Sequence, residues 1–153
     1  MKLYLVQHGE ALTKEVDPGR PLSPQGEQDV KRLADYLFQR GITMATIVHS
    51  GKMRAHQTAD ILAEKILLRG EAMAIKGIDP NDPVEDFVRK IPKYKHDTLL
   101  VGHLPFLARL VAYLITGNSQ PVIVGYVPGS IVCLEMDPDR NWRISWMLRP
   151  ECI

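Results

Sequence analysis

Leu3-Tyr4-Leu5-Val6-Gln7-His8-Gly9-Glu10 opens with four apolar residues and passes at once to polar, turn-forming ones. A short apolar run bounded in this way suits a strand buried on both faces, as in parallel sheets. Two later runs repeat the pattern. Thr46-Ile47-Val48 leads into His49-Ser50-Gly51-Lys52, and Thr98-Leu99-Leu100-Val101 leads into Gly102-His103. Helical patterns lie between and after them. Ser23-Pro24 supplies an N-cap and a proline at the first helical position. Val30, Leu33, Ala34, Leu37 and Phe38 then recur at i, i+3, i+4, i+7 and i+8 until Gly41 ends the helix. Further helices are expected over residues 54–66 and from about 105 to 115, and a further strand at 73–75. Two β runs, 131–135 and 142–148, flank the turn-rich Asp137-Pro138-Asp139-Arg140-Asn141. The alternation predicts one α/β domain over residues 1–153, in three layers. Its central sheet is largely parallel with an antiparallel edge, and helices cover both faces.

Composition narrows the function classes without choosing one. The chain has 153 residues, 45% hydrophobic and 24% charged, and needs neither disulfides nor a metal to hold a core of that size. Nineteen Lys and Arg against eighteen Asp and Glu give a net charge of +1. No global field draws nucleic acid or an anionic membrane, so any anion site must be a local cluster. Cys133 and Cys152 are too few for a disulfide scaffold and lack metal-ligand spacing, which fits a reducing compartment. No leader-like segment is seen, and the apolar stretch 104–115 is interrupted by Pro105 and Arg109 and is too short for a membrane span. The expectation is a cytoplasmic protein.

In open α/β sheets ligands sit outside the carboxyl ends of the strands. That rule singles out His8, His49 to Lys52, and His103. Either histidine alone reads equally well as a loop residue bonded to a neighbour. The pair, each beside a glycine and each just past an apolar strand, points to a shared site. Arg54 stands at a helix start, where the dipole favours acids, so a guanidinium there suits an anion pocket better than a stabilising role. Arg20 lies in a Pro-Gly-Arg-Pro loop, and Ser50, Lys52 and Ser130 are further donors, each with a capping or surface role as its simpler reading. No serine, cysteine or aspartate nucleophile motif accompanies them. Histidines with arginines suggest phosphoryl transfer through a phosphohistidine, with the cations holding the anionic group.

The ordered set Gln7-His8-Gly9-Glu10-Ala11, Arg20-Pro21-Leu22-Ser23-Pro24-Gln25-Gly26, His49-Ser50-Gly51-Lys52-Met53-Arg54-Ala55-His56-Gln57-Thr58-Ala59 and Val101-Gly102-His103-Leu104-Pro105 resembles the histidine phosphatase superfamily, branch 1. Within it the likeness is to the small SixA-type phosphohistidine phosphatases, and it runs on through Val127-Pro128-Gly129-Ser130 and the final strand. The resemblance implies a phosphoglycerate-mutase-like fold and a hydrolase acting through an enzyme-bound phosphohistidine. It also implies roles: His8 as nucleophile, His103 as the second histidine of the phosphate pocket, Arg54 as a clamp. Arg20 would reach the phosphate, with Gln7 and Ser130 lining the substrate site. It calls for no cofactor and no metal. The partner implied is a phosphorylated protein, such as a phosphohistidine-bearing signalling domain, or a small phosphoester.

Two positions depart from the pattern. The signature begins Arg-His-Gly, and here Gln7 takes the first place. Glutamine keeps hydrogen bonding but loses the charge and the fork; a charge-assisted bond contributes about 1.5–3 kcal/mol against roughly 0.5–1.5 for a neutral one. An alternative reading is therefore a weak or inactive relative that binds phosphate or a phosphoprotein, and another is a small-molecule phosphomonoesterase. The second departure is the short stretch between Arg54 and His103, which leaves little room for a lid carrying a general acid. Asp79 and Asp82 are the candidates, in Asp-Pro contexts that equally suit turns. A metal site built from His8, His49, His56 and His103 lacks ligand spacing and would face repulsion from the arginines.

Overall fold

The computed structural model describes residues 1–153. Its strands are β1 (Lys2–Gln7), β2 (Thr46–His49), β3 (Met73–Ala74), β4 (Thr98–Gly102), β5 (Ile131–Met136) and β6 (Trp142–Leu148). They form one sheet in the order β3-β2-β4-β1-β5-β6. The neighbours β1 and β4, β4 and β2, and β2 and β3 are parallel; β5 pairs antiparallel with β1, and β6 antiparallel with β5. The sheet is thus largely parallel with an antiparallel edge, as the alternation and the late β pair predict.

Side-chain alternation builds two cores, one on each face. Tyr4, Val6, Ile47, Leu99, Val101, Ile131 and Cys133 pack beneath the helices α1 (Pro24–Gln39) and α2 (Met53–Ile66). Leu3, Leu5, Val48, Leu100, Val132 and Leu134 face the other way, under α3 (Val84–Val88) and α4 (Phe106–Thr116). This two-sided burial explains why the central strands carry unbroken apolar runs instead of an apolar–polar alternation. Ser23 caps α1 by accepting from the Gly26 N–H at 3.0 Å, with Pro24 in the first turn. Val30, Leu33, Ala34 and Leu37 are buried as expected, but Phe38 is 57% exposed. It stands in the last turn, at the margin of the apolar stripe. α3 and the 3₁₀ turn Ile91–Lys93 have no counterpart in the sequence reading, because a single turn offers no periodicity to detect. No helix is long and apolar enough to cross a membrane.

The connections place the crevice. β1 hands the chain to α1 on one face, and its parallel neighbour β4 hands it to α4 on the other. Two adjacent parallel strands whose exits part in this way define a topological switch point, where ligands of such sheets bind. His8 follows β1 there and His103 follows β4.

The loop after β1 is clamped between the sheet and α1. Ser23 N–H donates to the Glu10 carbonyl at 2.9 Å, and the Ser23 hydroxyl donates to Glu10 Oε1 at 2.7 Å. Gly9 lies so close to α1 that a Cβ there would stand 2.8 Å from Val30 Cγ2. Gly26 is tighter still, since a Cβ on it would overlap the backbone of Glu10, its carbonyl oxygen first. The backbone on both sides of that contact is fixed by hydrogen bonds, so relief requires moving the loop that carries His8. Gly26→Ala is expected to destabilise the fold by about 1–3 kcal/mol, read as a lower denaturant midpoint. Gly125→Ala, where nothing lies within 4 Å, serves as the comparison and should change stability by less than about 0.5 kcal/mol.

Candidate active site

His8 is 8% exposed and its ring is held by its own loop. Nδ1 lies 2.7 Å from the Gly9 carbonyl oxygen, which can only accept, so Nδ1 carries the proton and Nε2 keeps its lone pair. Arg54 Nε donates to that Nε2 at 3.3 Å. Burial pushes the imidazole pKa down to about 4, assisted by the charges of Arg54 and Arg20 and opposed by the Gly9 bond. His8 is therefore a neutral, oriented imidazole at physiological pH.

His103 faces it, with ring centroids 5.0 Å apart and planes tilted by 51°. Its Nε2 is 2.6 Å from the Ser50 hydroxyl, and its Nδ1 is buried without a partner. Burial lowers its pKa to about 3, and His8, Arg54, Lys52 and Arg20 all add to the effect. The two histidines sit side by side because the β1–β4 ladder brings Gln7 opposite Gly102, and the His8 N–H donates to the Gly102 carbonyl at 3.1 Å.

Arg54 occupies the first turn of α2. Its backbone is tied to the loop after β1 by Thr58, one helical turn on. The Thr58 hydroxyl donates to the Arg54 carbonyl at 2.8 Å and accepts from the Gly9 N–H at 3.0 Å. Burial and the charge of Arg20 press the Arg54 pKa below its ordinary value, against Asp79, which acts the other way. Arg20 takes a left-handed conformation (φ 47°) and its Nε donates to the Leu12 carbonyl at 3.0 Å. Its loop is anchored to α2 by Gln57, which accepts from the Leu22 N–H at 2.8 Å. Neither arginine makes an ion pair with a carboxylate, so both charges bear on the crevice.

The remaining candidates divide. The Gln7 amide oxygen is buried and unpartnered, while its backbone N–H donates to the Ser130 carbonyl at 3.0 Å. Ser130 is fully buried, and its hydroxyl accepts from the Val127 N–H at 3.0 Å, closing the turn that braces the His8 loop. The Gly129 N–H completes that brace, donating to the carbonyls of Gln7 and His8 at 3.1 Å each. Asp79 and Asp82 part company too. Asp82 accepts from the Asp79 N–H at 2.8 Å as a turn former, whereas the Asp79 carboxylate lies 3.9 Å from Lys52 Nζ at the crevice rim. His49 and His56 stack face to face, ring centroids 4.6 Å apart, and no three His, Cys, Asp or Glu side chains converge as metal ligands. Sequence reasoning overlooked Thr58 and the Ser50–His103 bond. The i,i+4 spacing of Thr58 from Arg54 was the only available signal for the first, and no local pattern announces the second.

Burying neutral histidines links folding to pH. In the unfolded chain each regains its ordinary pKa of 6.5, so below that value the unfolded state takes up protons that the native His8 and His103 refuse. Their contribution to stability is complete above pH 6.5. It falls as the pH drops, until His8 titrates in the fold near 4 and His103 near 3. Denaturant midpoints should decline between pH 6.5 and 4, and His103→Gln should flatten that decline.

Residues 3–73 match the family model of the histidine phosphatase superfamily (branch 1). The phosphohistidine phosphatase SixA of Escherichia coli (strain K12) is 23% identical over 98% of this chain and 94% of its own. The solved structure of the protein histidine phosphatase SixA complexed with tungstate superposes with a TM-score of 0.84 at 22% identity, covering 98% and 97% of the two chains. The alpha-ribazole phosphatase from Shigella flexneri superposes with a TM-score of 0.80 at 16% identity, covering 98% and 97%. With paired histidines and unpaired arginines at the switch point of the same fold, the chain belongs to the histidine phosphatase superfamily, branch 1, and is a phosphatase.

Proposed function

We propose that this phosphatase removes the phosphoryl group from a phosphohistidine borne by another protein, with His8 as the transient acceptor. The observation that carries the reading is the His8 ring: Nδ1–H fixed on the Gly9 carbonyl, Nε2 unprotonated and facing the Arg54 guanidinium. The Nε2 lone pair attacks phosphorus as the bond to the substrate nitrogen breaks, and the substrate ring, already protonated from solvent on its other nitrogen, departs as neutral imidazole. Water then attacks the phosphorus of phospho-His8, the P–Nε2 bond breaks, and inorganic phosphate leaves with His8 neutral again.

Arg54 and Arg20 supply the charge that a phosphoryl group demands as it passes between nitrogens. His103, held on Ser50, offers a further polar contact beside His8. Support for an anion of this shape comes from the fold relative captured with tungstate, a tetrahedral oxyanion. The acid requirement separates a phosphohistidine from an ester. An alkoxide leaves only with a proton supplied to it, whereas imidazole is a far better leaving group. The crevice offers one carboxylate at its rim, Asp79, which is engaged with Lys52. The segment between α2 and β4 holds only short elements, which supports a rim that a protein surface can reach.

Gln7 sets the strength of the site. It stands where the family signature has arginine, and its amide offers neutral bonds only. The phosphatase is therefore expected to work with a weaker clamp, centred on Arg54 and Arg20.

Three results are expected. Brief exposure to a phosphohistidine protein should label His8 with an acid-labile, base-stable phosphate, and His8→Ala should show neither label nor turnover. Arg54→Ala should lower kcat by about 10²–10³. Gln7→Arg should raise kcat/KM by about tenfold, the difference between a neutral and a charge-assisted bond. Equal turnover of a phosphohistidine protein and a sugar phosphate would favour the small-ester reading instead.

A further inference from the structure

The histidine that ends β2 has no part in the chemistry above, yet it is wired to it. His49 is 2% exposed and its Nδ1 accepts from the Gly51 N–H at 3.1 Å. An N–H can only donate, so this bond requires a bare Nδ1 and places the proton of the neutral ring on Nε2. Gly51 takes a left-handed conformation (φ 88°) in the turn that follows. Ser50 holds the same turn from its other side, accepting from the Lys52 N–H at 3.3 Å while its hydroxyl meets His103 Nε2 at 2.6 Å. Lys52 then caps α2, and Arg54 follows in the first turn. One tight turn thus delivers Ser50 to His103 and Arg54 to His8, and His49 holds its entry.

The face of His49 that is turned away from the sheet is covered by His56, stacked at 4.6 Å with planes within 8° of parallel. His56 Nε2 lies 3.2 Å from Asp60 Oδ2, and both residues are more than half exposed. The titratable groups that face His49 are these two, both from α2. The strands on either side set Ala74 and Val101 opposite it, neither of which titrates.

We propose that His49 is a positioning residue of the phosphate site, holding the Ser50–Arg54 turn only while its ring is neutral, with His56 as its exposed electrostatic partner. Adding a proton to His49 puts N–H groups on both ring nitrogens, so Nδ1–H would meet the Gly51 N–H donor to donor. The turn must then open, and Ser50 and Arg54 lose their fixed places. Burial and a charge on His56 oppose that proton, while Asp60 favours it. Above the range in which His49 titrates the turn is closed; as the pH falls through it the turn is released.

The proposal rests on the phosphatase reading for its functional consequence but not for its physical core, and two measurements keep them apart. The first follows the Gly51 amide and the His49 ring nitrogens by NMR against pH, within the range where circular dichroism shows the chain folded. The Gly51 amide should move with the His49 titration, and in His56→Gln both should move to higher pH, since the opposing charge is gone. A Gly51 amide indifferent to the His49 titration would overturn the proposal whatever the enzyme acts on. The second compares variants by kcat/KM on a phosphohistidine protein. Asn at this position can accept from the Gly51 N–H through Oδ1, as in an Asx-turn, and does not titrate. His49→Asn should therefore keep about tenfold more activity than His49→Leu, and its acid limb should lie at lower pH than that of the unmodified protein. Equal loss in both variants, with an unmoved limb, would reduce His49 to a packing residue. No turnover in any form, with the NMR coupling intact, would instead count against the phosphohistidine reading alone.

Discussion

The ladder between β1 and β4 continues one step beyond the strands, where the His8 N–H donates to the Gly102 carbonyl at 3.1 Å. That bond puts the first residue after β1 beside the first residue after β4. Because the two strands are parallel, both point their exits to the same edge of the sheet. Because their helices depart to opposite faces, the edge opens there instead of closing. Everything else about the site follows from this juxtaposition. α2 brings Arg54 to one side of the histidine pair and the loop before α1 brings Arg20. The turn at Gly129 and Ser130 holds the His8 loop from behind, its Gly129 N–H donating to the carbonyls of Gln7 and His8 and its Ser130 carbonyl accepting from the Gln7 N–H.

The electrostatic consequence is a pocket that is basic without being protonated at His8. Burial alone would make a histidine neutral. Adding two unpaired guanidinium groups makes it more so, because each opposes a further positive charge. A phosphoryl group reverses the balance: it brings the negative charge that the arginines lack. The same arrangement therefore leaves His8 with a free lone pair and surrounds it with positive charge, as the proposed attack on a phosphoryl group requires. Gln7 moderates the arrangement. Its place at the end of β1 is fixed by the ladder, and its backbone is bonded to Ser130, but its side chain adds no charge to the pocket.

Much of the fold was legible locally. The apolar runs of β1, β2 and β4 announce buried strands, since both of their faces need apolar side chains, and the Ser23-Pro24 start and apolar stripe of α1 announce a helix. Phe38 shows where such reading stops. Its spacing places it at the margin of the apolar stripe, and only the packed fold decides that Leu37 is buried while Phe38 beside it is left outside the core. α3 was invisible for a related reason: five residues stabilised by Val84 and Phe87 entering a core have no signature until the core exists. At the site, His8, His103, Arg54 and Arg20 could be named from order and motif. The split between Asp79 and Asp82 could not, because identical Asp-Pro contexts take opposite roles according to whether Lys52 stands across the crevice.

By itself the sequence determined the strand and helix periodicities, the cap that starts α1, and the polar residues that close each buried strand. These are properties of neighbours along the chain, set by side-chain alternation and capping. Tertiary structure alone decided which tautomer His8 adopts, which hydroxyl holds His103, and that His49 governs the turn leading to Arg54. The Ser50–His103 bond joins residues far apart in sequence, and the His8 and His49 bonds, although local, depend on loop conformations and on burial that exist only once both faces of the sheet are covered.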